Sequence, residues 1–396
     1  MTTSSHKQET TNPRDADPAM PIAPTLGLWD AVAIIVGIVV GTAIFKLSTG
    51  VFNNVSGPWQ AMGVWLLGGV LSLIGALVYA ELATTYPRSG GDYHYLTKAY
   101  GNWVGFLFGW AQLAVILTGS IAAMAYAFAD YAATIRFGTW QLDPEQSHWI
   151  AVVPIAVLTI LNLLGIVVGK VVQNLLSIVK VVGLLGIVVA GLFFASQGSL
   201  KSPGTLNGPG IGLALVFVLY AFGGWNDAAF VAAEVRGQKR NLPLALFLGI
   251  GIITVVYLLV IFAYMSVLGF EGARQTDTPA TAVLERVVGS AGGVTISVLV
   301  VICALGAING LVLTGSRVYA SLGADHRVFG WLAGWSGLGA PVAALVAQAV
   351  IAVALVLAVG TTLGRGVIDG LLAQVGISGL DWDGYGGKFE TVVVGT

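Results

Sequence analysis

The chain has 396 residues, 56% hydrophobic and 9% charged, with a formal net charge of -1 and a mean hydropathy of +0.87. A soluble domain of that length cannot hide so much apolar surface in one core, so the solvent is lipid. The near-neutral charge excludes nucleic-acid binding through a basic field. Apolar runs of roughly 20 residues, hydrophobic on every face, exclude the ~10-residue alternating strands of a barrel.

Residues 1–25 are rich in Thr, Ser, Pro and charge and read as a disordered cytoplasmic tail, neither signal peptide nor span. About nine apolar runs follow, near residues 28–50, 59–83, 103–133, 148–167, 172–196, 211–233, 243–268, 292–321 and 341–360. Ten basic residues, among them Arg88, Lys98, Lys170, Arg236, Lys239 and Arg240, then fall on the side of the N-terminus and seven on the other. That bias places the N-terminus in the cytoplasm.

The first run is interrupted in mid-membrane by Gly37 and Gly41, and the sixth by Gly223 and Gly224. Glycine at such places serves either close helix packing or an unwound helix. Lying five spans apart, the two runs cross in opposite directions, the layout of an inverted repeat, about 26–200 and 208–396, with broken helices at the midplane. Unwound backbone leaves N–H and C=O groups that lipid cannot satisfy, and a zwitterion can: its carboxylate suits the amides and its ammonium the carbonyls. Lys180 lies inside the fifth run, where it either meets carbonyls, water or an acid, or snorkels to the inner interface. After the ninth run, residues 361–396 carry Asp369, Asp381, Asp383 and Glu390 and turn apolar again from Phe389, so the chain reads as truncated after about nine spans.

Four stretches resemble the amino acid-polyamine-organocation superfamily, most closely its L-type amino acid transporter branch. They are Gly41-Thr42-Ala43-Ile44-Phe45; Tyr79-Ala80-Glu81-Leu82 through Pro87-Arg88-Ser89-Gly90-Gly91 to Gly109-Trp110; Tyr220-Ala221-Phe222-Gly223-Gly224-Trp225-Asn226 with Glu234 and Arg240-Asn241-Leu242-Pro243; and Asn309-Gly310 with Ser316-Arg317 and Asp325. Ala43 replaces a usual glycine, and Gly237-Gln238 a usual Asn-Pro. The resemblance implies an all-α LeuT-type fold with discontinuous first and sixth helices, in which the amides of Thr42 and Ala43 hold a substrate carboxylate and Gly41 gives the bend. It assigns the ammonium to the carbonyls of Val39, Tyr220, Ala221 and Gly223, an outer gate to Tyr220, and the side-chain pocket to Trp225 and Asn226; Tyr220 and Trp225 also read as ordinary packing aromatics. Lys180 would occupy the volume that sodium fills in sodium-coupled relatives. Gly223 stands where dibasic-preferring relatives carry an acid, which implies neutral substrates.

The function so implied is a multi-pass carrier of the plasma or inner membrane that exchanges neutral L-amino acids without sodium, by alternating access. Proton-coupled uptake through Lys180 and a non-transporting amino acid sensor are the alternatives. No clustered nucleophile, base or metal set suggests an enzyme, a cofactor or a metal; His6, His94, His148 and His326 read as scattered tail and loop residues. Glu81, Glu234 and Arg317 read as salt-bridge partners at inner helix ends. The single cysteine, Cys303, lies in an apolar run and none falls in residues 134–147, so no disulfide-linked helper subunit is expected.

Overall fold

A computed structural model describes residues 24–137, 140–143, 146–193 and 210–374. Most of the expected tail and the segment beyond residue 374 therefore lie outside the described residues. In chain order the helices are α1 (Leu28–Val39), α2 (Ala43–Lys46), α3 (Ser48–Asn53), α4 (Pro58–Thr85), α5 (Asp92–Tyr100), α6 (Asn102–Ala111) and α7 (Leu117–Thr134). A π-helical turn, Gln112–Ile116, joins α6 to α7 in one continuous span. Then come α8 (Ser147–Leu163), α9 (Ile166–Phe193), α10 (Ile211–Ala221), α11 (Gln238–Arg274), α12 (Pro279–Val288), α13 (Ala291–Asp325), α14 (Val342–Gly360) and α15 (Thr362–Gln374). Short 3-10 segments, Trp225–Glu234 and Arg327–Ala333, follow α10 and α13. The described strand is slight: a two-residue hairpin, Arg136–Phe137 with Trp140–Gln141, and a single bridge between Leu26 and Val235.

Seven of these helical stretches are long and apolar enough to cross a membrane, and α1 and α8 are shorter apolar helices. In order they match the nine runs of the sequence. The helix α13 is the centre of the molecule, with 78% of its apolar window buried against α1, α7, α8, α9, α12 and α14. The outer helices are built inside out. On α9 the buried stripe is Gly169, Gln173, Ser177, Lys180 and Leu184, while Val171, Leu175, Ile178 and Val182 stand exposed. Small and polar residues face the bundle because apolar side chains lose nothing against lipid tails.

Three helices were not legible as spans. The connection after α4 holds α5, set between Gly91 and Gly101, both at positive φ, and it buries Tyr93, His94 and Tyr95. His94 is thus a buried helical residue and not a loop one. Pro279 starts α12 at the position where a missing N–H costs nothing, and α15 begins just past Thr361. Such short amphipathic pieces carry no membrane-length apolar run to announce them.

Candidate functional site

The first break begins where α1 stops. Gly41 N–H turns back to the Val39 carbonyl at 2.8 Å instead of reaching Gly37 four residues earlier. That leaves the Gly37 and Val40 carbonyls without their helical donors, as at any helix C-terminus. Lys180 supplies them: its Nζ donates to Gly37 O at 2.6 Å and Val40 O at 2.9 Å, and the residue is 0% exposed. Ser177, one turn away on α9, donates to Ala33 O at 2.7 Å, so α9 fastens α1 along a polar ladder. Gly37 and Gly306 leave the room this needs, because a Cβ would run into Gln173 at the first and into Lys180 at the second.

Past the break, Thr42 and Ala43 lead into α2 with no side-chain cap, and their amides find no acceptor among the described residues. Gly41 is buried but not tightly packed. A Cβ there would touch nothing nearer than Met124 Sδ, at 3.8 Å.

The second break follows Ala221. Gly223 N–H donates to Tyr220 O at 3.0 Å, Gly224 takes φ +96°, and the chain resumes as the 3-10 segment. The two breaks touch, since a Cβ on Gly224 would lie 2.7 Å from Ile38 Cγ2. A residue that the sequence reading did not single out joins them. The hydroxyl of Tyr257, on α11, lies 3.1 Å from the Val39 carbonyl and 3.3 Å from that of Ala221. Its ring is wholly buried, edge-on to Trp65 and packed against Phe222.

The expected site residues therefore divide into two groups. Val39, Gly41, Ala221 and Lys180 meet at the junction of the breaks, with Thr42, Ala43 and Gly223 adjoining in sequence. Tyr220 is 53% exposed, and its carbonyl already serves Gly223. Trp225 and Asn226 point elsewhere: Trp225 packs on Gly75 of α4 with its ring edge-on to Tyr79 at 5.2 Å, and Asn226 Nδ2 donates to Asp92 Oδ2 on α5 at 3.3 Å. Tyr79 also donates to Asp92, whose carboxyl burial raises above its ordinary value despite both hydrogen bonds. Asp227, 7% exposed, adds a second buried acid beside it.

Beyond this cluster the molecule is shut by ion pairs. Arg317 on α13 grips Glu234 through Nε–Oε1 at 2.8 Å and Nη2–Oε2 at 3.2 Å, with both residues buried. Such a fork fixes direction as well as distance. Leu26 N–H donates to Glu234 O at 3.0 Å, and Gly90 N–H to Phe230 O at 3.1 Å. Asp325 receives Tyr93 at 3.0 Å and faces Arg88 at 3.7 Å. Glu81, expected to join such a pair, stays exposed.

Comparison with known proteins gives the family and the fold. Residues 26–377 match the amino acid permease family. The chain belongs to that family. Among similar proteins, the b(0,+)-type amino acid transporter 1 of Oryctolagus cuniculus is 32% identical over 309 residues, 76% of this chain and 63% of the relative. The serine/threonine exchanger SteT of Bacillus subtilis is 31% identical over 299 residues, 74% of this chain and 66% of the relative. The large neutral amino acids transporter small subunit 2 of Mus musculus is 30% identical over 303 residues, 74% and 57%. The permease chain thus spans less than two thirds of the length of these relatives. In fold it resembles Mhp1, a nucleobase-cation-symport-1 family transporter, with TM-score 0.57 and 16% identity over 88% of this chain and 78% of that one. A Na+-coupled sialic acid symporter gives TM-score 0.58 and 13% identity over 94% and 88%. The architecture is the LeuT-type one that the motifs imply.

Proposed function

We propose that the permease moves neutral L-amino acids across a cell membrane by alternating access, as a sodium-independent exchanger. The observation that carries this reading is the junction itself: two helix ends meet in a buried place, with amides at Thr42 and Ala43 that find no acceptor among the described residues and no side chain pressed tightly against Gly41. A carboxylate answers the amides and an ammonium answers the carbonyl ends of α1 and α10. The relatives, an amino acid transporter, a serine/threonine exchanger and a large neutral amino acids transporter subunit, support amino acids as the substrate class.

Sodium independence rests on Lys180. Its ammonium already takes Gly37 O and Val40 O, so those two oxygens are not left for a metal ion. Preference for neutral side chains rests on Gly223, which presents no acid at the junction. Trp225 and Asn226 then act from the α4–α5 side of the junction, and the Glu234–Arg317 pair holds that end shut until the second repeat rocks against the first. The repeats, about 26–200 and 208–396, an N-terminus in the cytoplasm and residence in the plasma or inner membrane belong to the same reading. Cys303 is wholly buried on α13, which supports work without a disulfide-linked helper.

Counterflow in proteoliposomes tests the proposal. Vesicles loaded with an unlabelled neutral amino acid should take up the labelled one faster than empty vesicles, with neither sodium nor a pH gradient. Uptake that needs a proton gradient and ignores internal substrate would replace exchange by proton coupling. Binding with no uptake at all would make the chain a sensor.

A further inference from the structure

A pocket of about 480 Å³ opens on the outside of the bundle, where α4 ends and α11 begins. Leu77, Glu81, Thr84 and Thr85 form its α4 wall, at spacings that place them on one helical face, and Lys239 and Pro243 form its α11 wall. The volume falls in the range of small-molecule pockets, about 300–1,000 Å³. None of these residues belongs to the junction of the breaks. The Gln238 amide donates to Ala83 O at 2.9 Å and ties the two helix ends together.

The pocket carries charge of both signs that the protein leaves unused. Glu81 and Lys239 are exposed, and among the described residues no ion pair joins them to each other or to another side chain. The Thr84 hydroxyl donates to the backbone carbonyl of Glu81 at 3.0 Å and not to its carboxylate. A further acceptor follows from Pro243. In a helix the Lys239 carbonyl would receive the N–H of residue 243, and proline has none. That oxygen is stranded on the wall that Lys239 and Pro243 share.

From the pocket an apolar stripe runs along α4 toward mid-membrane: Leu77, Ile74, Val70 and Leu66 all stand exposed. Arg236, Lys239 and Arg240 cluster at this end of α11. The pocket therefore lies at the level of lipid headgroups, on the leaflet that the basic bias makes cytoplasmic. We infer that it is a binding site for phosphatidylethanolamine, whose ammonium answers the Glu81 carboxylate and the Lys239 carbonyl, whose phosphate answers the Lys239 ammonium and the Thr85 hydroxyl, and whose acyl chain lies along the α4 stripe. Charge complementarity selects against the other common headgroups. An anionic headgroup satisfies Lys239 and leaves a phosphate facing the Glu81 carboxylate. A choline carries its charge without N–H groups, so neither Glu81 nor the stranded carbonyl gains a hydrogen bond.

The test titrates delipidated protein in detergent with dioleoyl phosphatidylethanolamine, phosphatidylcholine and phosphatidylglycerol, with bound lipid counted by native mass spectrometry. Phosphatidylethanolamine should bind about tenfold more tightly than phosphatidylcholine, the scale of one hydrogen bond to a charged group. Glu81→Gln should remove that preference. Lys239→Gln should weaken all three lipids and keep the preference, because each carries the phosphate. Both residues are exposed, so both variants keep the fold. Glu271→Gln makes the same charge change at the other end of α11, on a half-exposed side chain, and should leave the preference in place. Equal binding of the three lipids to the wild type overturns the inference, as does a preference that survives Glu81→Gln or a Lys239→Gln variant that binds like the wild type. Tighter binding of phosphatidylglycerol than of phosphatidylethanolamine overturns it in favour of a site for anionic lipid.

Discussion

The two helix breaks occupy corresponding places in the chain and are held by opposite means. At the first, a charged side chain from α9 answers both stranded carbonyls, and α9 adds Ser177 one turn away. At the second, no charged side chain answers the stranded carbonyl. Gly224 carries the turn at φ +96°, a shared phenol hydroxyl reaches Ala221 O, and the far end of the segment is tied at Glu234. The difference teaches that one break is stapled to a neighbouring helix by a charge, while the other is held by a glycine turn, a shared hydroxyl and an ion pair at its far end.

Removing the far ion pair should have the largest effect. Arg317→Ala leaves Glu234 buried without its partner and should cost about 3 to 5 kcal/mol of stability, read as early thermal unfolding in detergent micelles. Adding Glu234→Gln should recover part of the loss. No recovery would mean that Arg317 acts through packing alone. Next comes the staple. Lys180→Met strands two carbonyls at once, each unserved buried acceptor costing roughly 1–3 kcal/mol of stability, and on the function proposed above it should lower exchange about a hundredfold. Wild-type exchange in that variant would end the distinction between the breaks.

The glycine turn itself gives smaller effects. Gly224→Ala forces a side chain into left-handed backbone, and against Ile38 at 2.7 Å, for about 1–3 kcal/mol. Gly223→Ala meets only the Tyr220 carbonyl, at 3.1 Å and without positive φ, and should shift stability by less than about 1 kcal/mol. Parallel melts of the two variants check the contrast, and equal costs would contradict it.

Much of this was legible in the residues. Paired glycines in two opposed apolar runs marked the breaks, and Lys180 stood out because a cation inside an apolar run must find partners. The location of its partners was not legible, because it depends on which carbonyls the break strands. Tyr257 gave no local signal: it is one hydroxyl in a run that also holds Thr254, Tyr264 and Ser266, and only the approach of α11 to both breaks distinguishes it. Trp225 and Asn226 were assigned to the pocket by motif, but their side chains belong to α4 and α5. Gly224 explains this, since its left-handed turn redirects everything that follows. The helix α5, which receives Asn226, is too short and mixed to be read as an element.

The account stands on the junction of the breaks as the place where an amino acid binds, and Gly41→Leu tests that most directly. A leucine side chain would reach past the Cβ position, which lies 3.8 Å from Met124 Sδ, and block the approach to the Thr42 and Ala43 amides. Binding of labelled L-leucine and L-alanine to the purified variant should be lost while the protein remains inserted, monodisperse and as thermally stable as wild type. Wild-type affinity in that variant would place the binding site elsewhere.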